Sequence, residues 1–163
     1  MEEFKSSSRL HVVVVLDNVR SAYNVGSVFR TCDAFAVEKI FLCGITASPP
    51  NREVMKTALG STESIPWKYF TTSEEAVMHL KNDDYKILIV EQTDQSIGLE
   101  KFLPERNKKY ALVFGNEVEG VSDELLALAS IAIEIPQFGT KHSFNISVSV
   151  GIVLWDFFLK LKK

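Results

Sequence analysis

Apolar residues along this chain form short, uninterrupted runs that alternate with longer stretches of mixed polarity. The strongest runs are rich in Val, Ile and Leu without polar alternation, as expected for strands buried on both faces. Strands are predicted at residues 10–16, 39–43, 67–71, 85–91, 110–114 and 131–135. Helices are predicted at residues 24–36, 51–59, 122–129 and 143–161, and one more begins at Thr72. This alternation predicts an α/β fold with a mostly parallel sheet and helices on both of its faces.

The last predicted helix is apolar on two sides. At 100° per residue, one face carries Ile146, Val150, Val153, Phe157 and Leu161. The nearly opposite face carries Val148, Ile152, Trp155 and Leu159. A surface helix normally has one apolar stripe, so the second face requires a second cover. The pattern predicts a homodimer that covers this face, with burial of the whole helix inside its own domain as the alternative.

Length and composition narrow the class of protein. The 163 residues predict a single domain over residues 1–163, and 46% hydrophobic with 24% charged residues excludes a disordered chain. The net charge of −3 argues against nucleic-acid binding over the whole surface but allows a local basic patch. Cys32 and Cys43 suit neither a disulfide framework nor a zinc site, so we expect no metal and a reducing cytoplasm. The pattern predicts neither a secretory signal nor a membrane span.

The first segment with candidate chemistry runs from Asp17 to Arg30. Asn24 is predicted to cap the helix that follows, Gly26 to permit close backbone approach, and Arg30 lies one turn later on the same face. A helix N-terminus beside an arginine suits a phosphate or a developing anion. The alternative is a capped helix with a surface arginine.

Two further segments follow predicted strands. In the second, a buried strand runs into Gly115, with Glu117 and Gly120 behind it, but no Lys-Ser or Lys-Thr follows, which excludes a Walker-type phosphate loop. The Gly-rich dinucleotide fingerprint is also missing. In the third, Ser143 and Asn145 stand at the mouth of the last helix, where they are either helix caps or site residues. No carboxylate pair or Ser-His-Asp order favours a hydrolase.

Together, the three segments resemble the SpoU (TrmH-like) branch of the SPOUT methyltransferases, which methylate ribose 2′-hydroxyls of RNA. The matching residues are Asn24-Val25-Gly26 with Arg30, Leu112 to Ser122 with Gly115, Glu117 and Gly120, and Ile135-Pro136, Gly139 and Ser143 to Ser147. The motifs stand in the family's order, and the likeness spans about residues 10 to 160. Gln137 and Phe144 depart from the methionine and leucine that are usual in the family.

The resemblance implies a trefoil knot in the C-terminal third, S-adenosylmethionine as the methyl donor, and a homodimer. It also implies donor contacts, which fall on Val90, Glu91, Gly115, Ile135, Ser143 and Phe144. Arg30 corresponds to the family's activator of the ribose hydroxyl. Asn24, Glu117, Ser143 and Asn145 are expected to position Arg30, the ribose or the donor. Because a guanidinium is effectively never neutral, Arg30 is either a costly proton acceptor or a cation that acidifies the hydroxyl.

The expected substrate is RNA, with tRNA favoured over rRNA. We expect no added RNA-binding domain at either end, so the catalytic dimer itself must hold the RNA. Candidate contacts are Arg9, Arg20, Arg52, Lys56, Lys141 and the C-terminal lysines Lys160, Lys162 and Lys163. Three alternatives stay open: a knotted base methyltransferase, a catalytically silent RNA-binding dimer, and a small-molecule α/β enzyme.

Overall fold

The apolar runs become the central strands of a seven-stranded sheet in which every pairing is parallel. The computed structural model describes residues 9–140 and 143–162. The strands are β1 (Leu10–Asp17), β2 (Val37–Cys43), β3 (Trp67–Phe70), β4 (Tyr85–Val90), β5 (Ile97–Gly98), β6 (Lys109–Phe114) and β7 (Ile131–Glu134). The helices are α1 (Ala22–Ala34), α2 (Arg52–Ala58), α3 (Ser61–Ser64), α4 (Ser73–Asn82), α5 (Asp123–Leu128) and α6 (Ile146–Lys162).

The strand order, β3-β2-β1-β6-β4-β7-β5, departs from the order along the chain. β6 lies between β1 and β4, and β7 lies on the other side of β4. Val90 at the end of β4 is in register with Phe114 of β6 and Ile133 of β7. The carboxyl ends of these three strands therefore meet at one edge of the sheet, where ligands of open α/β sheets bind.

Helices cover both faces of the sheet, as the alternation of strands and helices predicts. On β1, Val12, Val14 and Leu16 belong to the core layer that also contains buried residues of α1 and α6. Val13 and Val15 belong to the opposite layer, with α4 and α5. Each β1 residue from 12 to 16 is completely buried, which explains why this run shows no polar alternation.

Two helix starts differ from the sequence prediction. Ser21 caps α1, because its Oγ accepts from the Asn24 backbone N–H at 3.2 Å; the predicted capping role of Asn24 is wrong. α6 begins at Ile146, three residues later than predicted, and Asn145 Oδ1 accepts from the Ser147 N–H at 2.9 Å. The predicted helix start at Thr72 is confirmed, since Thr72 caps α4 and its side chain accepts from the Glu75 N–H.

The two faces of α6 have different surroundings. The face that begins with Ile146 packs in the core of its own domain, and Val150, Val153 and Phe157 are fully buried. On the other face, Val148 is 48%, Trp155 52% and Leu159 39% exposed. The Trp155 ring lies 6.3 Å from Phe35, which follows α1, and 5.9 Å from Phe158 of α6, between ring centroids. One apolar face is therefore covered by the chain and the opposite one is open.

The described residues can also be searched for a membrane-spanning helix and for a metal-binding cluster. Among them, no helix is long and apolar enough to cross a membrane. The same residues place no group of three or more His, Cys, Asp or Glu side chains where it could hold a metal ion.

Candidate active site

A cavity of ≈ 340 Å³ opens beyond the carboxyl ends of β4, β6 and β7. Its walls are the ends of these strands, the turn after β6 and the chain that enters α6. It is lined by all six residues that the sequence predicts for the methyl donor: Val90, Glu91, Gly115, Ile135, Ser143 and Phe144. Glu117 and Asn145, predicted as positioning residues, line it as well. Segments up to 55 residues apart thus form one site.

The turn after β6 is held rigidly by Asn116. Its backbone pairs with Gly120 in both directions at 3.0 Å, and its Oδ1 accepts from the N–H groups of Val118 and Glu119 at 2.8 and 3.0 Å. The Asn116 amide also donates to Asn18 O at 2.8 Å, which ties the turn to the end of β1. Asn116 is not among the predicted site residues, although an asparagine after a strand is a usual turn residue.

The packing of the turn after β6 requires a glycine at position 115. A Cβ built there would lie 2.6 Å from Gly120 C and 2.6 Å from Val121 Cγ2, so any side chain would collide with the returning turn. The sequence left open whether this glycine serves a flat ligand or a turn. The close approach of residues 120 and 121 shows that the turn is sufficient reason.

Glu117 connects this turn to the start of α1. Its carboxylate oxygens accept from the Arg20 and Ser21 N–H groups at 3.0 and 3.2 Å. Burial raises the pKa of Glu117, but these two amides and the Asn24 side chain outweigh that effect and hold the pKa below its ordinary value. A carboxylate at a helix N-terminus is also stabilised by the helix dipole. Glu117 is therefore an ionised anchor for α1 and a weak base.

Asn24 links all three motifs. Its side-chain oxygen accepts from Asn145 Nδ2 at 3.2 Å, and its side chain helps to lower the pKa of the Glu117 carboxylate. Asn145 in turn caps α6 through Ser147. The sequence offered capping and site chemistry as alternatives for Asn145, and its amide takes part in both arrangements. Glu117 and Asn145 are thereby both hydrogen-bonded to the first part of the segment from Asp17 to Arg30.

The charge of the cavity limits its ligands. Glu91, Glu117 and Glu134 line it, and among the described residues that line it there is no Lys or Arg. Phosphate groups bind where backbone amides and cations converge, and three carboxylates oppose them. The walls therefore suit an uncharged or cationic ligand better than a nucleotide phosphate.

Arg30 does not line this cavity. It lies six residues after Asn24, about 9 Å further along the helix axis, and faces an open groove between α1 and α2. Lys56 of α2 lines the same groove, with its Nζ 5.9 Å from the centroid of the Tyr23 ring. The contacts of the described residues include no hydrogen bond or ion pair to the Arg30 guanidinium. Arg30 and the donor cavity are therefore separate places on one protomer.

Gly26 allows α1 and α2 to approach closely. A Cβ at this position would overlap Thr57 Oγ1 and Val54 O of α2. The close backbone approach predicted for Gly26 is thus an approach by a neighbouring helix. It sets the width of the groove that holds Arg30 and Lys56.

The predicted RNA contacts lie at different ends of the sheet. Arg20 and Arg52 are exposed in the segments that follow β1 and β2, on the side of the cavity. Arg9 precedes β1 at the opposite end, where it donates to Val37 O and Ser64 O, and this position argues against a role near the cavity. Lys141 and Lys163 lie outside the described residues.

Lys160 has a role inside the protein instead of the predicted one. Its ammonium donates to the carbonyls of Leu99 and Phe102 at 2.7 and 2.9 Å and pairs with Asp156 at 2.7 Å. These contacts tie α6 to the chain after β5. With its donors used in this way, Lys160 is a structural residue, in contrast to the exposed Arg52.

The sequence profile of the SpoU rRNA Methylase family matches residues 11–155. This chain belongs to that family. The resemblance inferred from the three motifs is thereby confirmed. The matched range contains β1 to β7 and all but the last turns of α6.

Individual SpoU relatives agree with this assignment. The tRNA (guanosine(18)-2'-O)-methyltransferase of Borreliella burgdorferi is 28% identical over 155 residues, which are 94% of this chain and 68% of the relative. The protein of the same name from Aquifex aeolicus is 29% identical over 160 residues, 96% of this chain and 72% of the relative. The AdoMet-bound rRNA methyltransferase of Sinorhizobium meliloti superposes with a TM-score of 0.84 at 27% identity, covering 92% of this chain.

This SpoU chain is shorter than these relatives. It spans 56% of the Sinorhizobium protein and about two thirds to three quarters of the other two. The superposition confirms the predicted α/β class with its parallel sheet.

Proposed function

We propose that this SpoU chain is an S-adenosylmethionine-dependent RNA methyltransferase that methylates a ribose 2′-hydroxyl, in tRNA rather than rRNA. The observation that carries the proposal is the convergence of three sequence-distant motifs on one acidic cavity, where Glu117 bonds to the start of α1 and Asn145 bonds to Asn24. The names of the Borreliella and Aquifex relatives support both the reaction and tRNA as the substrate.

The cavity fits the proposed donor. Its ≈ 340 Å³ lies within the range of about 300–1,000 Å³ that small-molecule sites occupy. When bound, S-adenosylmethionine supplies a methyl group on a positively charged sulfur. Glu91, Glu117 and Glu134 would favour that positive charge, while the exposed backbone at Gly115 and Ile135 would hold the flat adenine part.

The described residues have two kinds of role in this proposal: some position α1 and α6 beside the donor, and one activates the ribose hydroxyl. Glu117, with its lowered pKa, fixes the N-terminus of α1 and does not act as the general base. Asn24 and Asn145 hold α1 and α6 in a fixed relation beside the donor. Arg30 would stabilise negative charge that develops on the ribose oxygen, in its planar cationic form. Ser143, exposed at the mouth of the cavity, would contact the donor or the ribose.

A homodimer would bring Arg30 to a donor cavity. The open face of α6 carries Val148, Trp155 and Leu159, and the groove of Arg30 borders it through Phe35. A twofold pairing of this face would set α1 of one copy against the other copy. In our proposal, Arg30 therefore serves the donor cavity of the partner copy, which accounts for its distance from the cavity of its own protomer.

The proposed dimer can be split at Trp155. Because Trp155 is half exposed in one protomer, Trp155→Glu should leave the fold intact and place an unpaired charge in an apolar contact. Sedimentation of wild type as a dimer and of the variant as a monomer at micromolar concentration is expected. Met78→Glu is a matched control on α4, since Met78 is 45% exposed on the other face of the sheet. A monomeric wild type would refute the dimer.

The remaining parts of the proposal concern topology and location. We also propose the C-terminal trefoil knot that the family resemblance implies, in a sheet where β6 and β7 lie on opposite sides of β4. We interpret residues 1–163 as one SpoU domain whose described strands form a single sheet. Cys32 and Cys43 are both free and buried, which supports a cytoplasmic location.

Two measurements test the proposed function. Isothermal titration should show one S-adenosylmethionine bound per chain. Incubation with labelled donor and total tRNA or rRNA from cells that lack the gene should label tRNA, and the product should resist alkaline cleavage at one nucleotide. Absence of donor binding, or a methyl group on a base, would refute the proposal. Label in rRNA alone would overturn only the choice of substrate.

A further inference from the structure

Three exposed apolar side chains belong to the segments that form the donor cavity. Phe144 lines the cavity itself and is 42% exposed. Val118 is 76% exposed and follows the lining residue Glu117, and Phe138 is 98% exposed and follows the lining residue Gln137. The proposed dimer face of α6 does not include them. An apolar rim at this place therefore calls for a separate explanation.

Phe138 is the most exposed of these three side chains and has open space beside it. A Cβ built on the neighbouring Gly139 would meet nothing within 4 Å, so the part of the chain that the structure describes leaves this side of the loop free. Val118 stands at the tip of the turn that Asn116 holds with its side-chain and backbone hydrogen bonds. One flat, uncovered ring and one rigidly held aliphatic tip thus occupy the rim.

The charges around the cavity decide which part of an RNA would come here. Glu91, Glu117 and Glu134 line the cavity and repel phosphates, whereas Arg30 and Lys56 lie in the separate α1–α2 groove. A ribose whose 2′-hydroxyl reaches the cavity carries its base to the same rim. That base must leave its stack in the RNA, and an aromatic side chain can replace the lost stacking for any base.

We propose that Phe138 stacks on the base of the nucleotide that is methylated and that Val118 contacts the edge of the same base. This inference rests on the proposed function, because it assigns a further substrate contact to that reaction. It makes Phe138 a substrate-positioning residue that acts on the acceptor and leaves the donor unaffected. Stacking of this kind tolerates every base, so it contributes affinity and orientation more than sequence choice.

The test compares Phe138→Ala with Phe138→Trp under single-turnover conditions at saturating donor, with unmodified total tRNA as the substrate. Loss of one base–aromatic stack should raise the RNA concentration for half-maximal rate by about tenfold, and tryptophan should restore it. S-adenosylmethionine affinity should stay at the wild-type value. Leu103→Ala is the matched control, because Leu103 is 76% exposed in a loop that does not line the cavity, and it should change nothing.

A second substrate makes the assignment specific. Once the methylated position is mapped, a transcript that lacks the base at this position can be compared with the complete one. If Phe138 stacks on that base, removing the base should raise the RNA concentration for half-maximal rate of the wild-type protein by the same factor as Phe138→Ala does. The variant and the abasic transcript together should raise this concentration no more than either change alone.

Several outcomes would overturn the inference. An unchanged RNA concentration for half-maximal rate in Phe138→Ala would overturn it. Additive effects of the variant and the abasic transcript would also overturn it. Weaker donor binding would place Phe138 at the donor, and a monomeric Phe138→Ala would place it in the contact between copies. These results differ from failure of the proposed function, in which the wild-type protein transfers no methyl group to ribose.

Discussion

The donor cavity and the α1–α2 groove lie on the same protomer but are built in different ways. The cavity is enclosed by the ends of three adjacent strands and fixed by side chains such as Glu117 and Asn145, which bond to distant parts of the chain. The groove is open, and its cations Arg30 and Lys56 project from two helices that Gly26 brings together. From this difference we expect that one copy is enough to bind the donor, whereas activation of the acceptor depends on what enters the groove.

The largest effect on methyl transfer should come from a substitution in the groove, and this substitution should leave donor binding in the cavity unchanged. Arg30→Ala should lower the rate of methyl transfer by about 10²- to 10³-fold, the usual loss when one group that stabilises a developing anion is removed. Donor affinity measured by isothermal titration should not change, since Arg30 lies outside the cavity. Arg30→Lys should fail as well, because a point charge does not replace the planar fork.

Arg106→Ala is the control for this comparison. Arg106 is exposed at the amino-terminal end of the sheet, beside Arg9. Its removal should affect neither donor binding nor transfer. Near-normal turnover by Arg30→Ala would remove Arg30 from the mechanism.

A subunit-mixing experiment tests whether the groove of one copy and the cavity of another copy form one active site. Ser149→Trp places a large side chain in the cavity wall and should block donor binding, while Arg30→Ala leaves the cavity intact. Each variant alone should be inactive. Mixed and reassembled, they should recover about a quarter of wild-type activity, because half of the dimers carry one intact composite site of two.

The mixture must be shown to contain mixed dimers, for example by copurification through a tag on one variant. If such dimers form and remain inactive, Arg30 acts in its own protomer, and the cross-subunit arrangement is wrong. Wild type mixed with Arg30→Ala serves as the positive control for exchange.

A smaller effect is expected from the second cation of the groove. Lys56→Glu should weaken tRNA binding several-fold and reduce the slope of log affinity against log salt by about 1, as for the loss of one phosphate contact. Filter binding over a salt series measures both quantities. Lys108→Glu, an exposed change at the amino-terminal end of the sheet, should leave them unchanged. Equal losses in the two variants would mean that the groove is not the RNA site.

The smallest effect, on thermal stability, should come from Glu117, which anchors the turn after β6 to the start of α1. The pKa of Glu117 in the folded protein lies below its ordinary value of 4.5, so its contribution to stability is present above that value and is lost as the pH falls through the lower folded pKa. Glu117→Gln should therefore lower Tm by about 1–2 °C at pH 7. Near pH 3 the difference should shrink.

Glu119→Gln is the control for this titration, since Glu119 belongs to the same turn and is exposed. Its melting temperature should follow wild type at both pH values. A Glu117→Gln difference that is constant with pH would show that the ionised carboxylate does not hold the start of α1.

Several elements could be read directly from local pattern. The runs that became β1, β4 and β6 are buried on both faces, and a continuous apolar run has few other stable arrangements in a chain of this length. The two-sided pattern of α6 separated one face that the chain buries, with Val150, Val153 and Phe157, from a second face that includes the half-exposed Trp155. By contrast, β5 has two residues, which is too short to produce any pattern.

Local pattern was less informative where two polar residues competed for one role. Ser21 and Asn24 are both good helix caps, and nothing in the local pattern favours Ser21. The choice follows from Glu117, which binds the N–H groups of residues 20 and 21 and so sets the start of α1. Gly26 and Gly115 were recognised as close-approach positions, but only the packed chain identifies α2 and Gly120 as their neighbours.

By itself, the sequence determined the α/β class, the order of the elements and membership of the SpoU family, because burial periodicity and ordered motifs are properties of neighbouring residues. Only the tertiary structure decided that Asn24 meets Asn145 across 121 positions and that Arg30 lies apart from the cavity. Such relations depend on strand order, in which β6 enters between β1 and β4. Strand order is set by the packing of the whole sheet, and no local stretch of sequence encodes it.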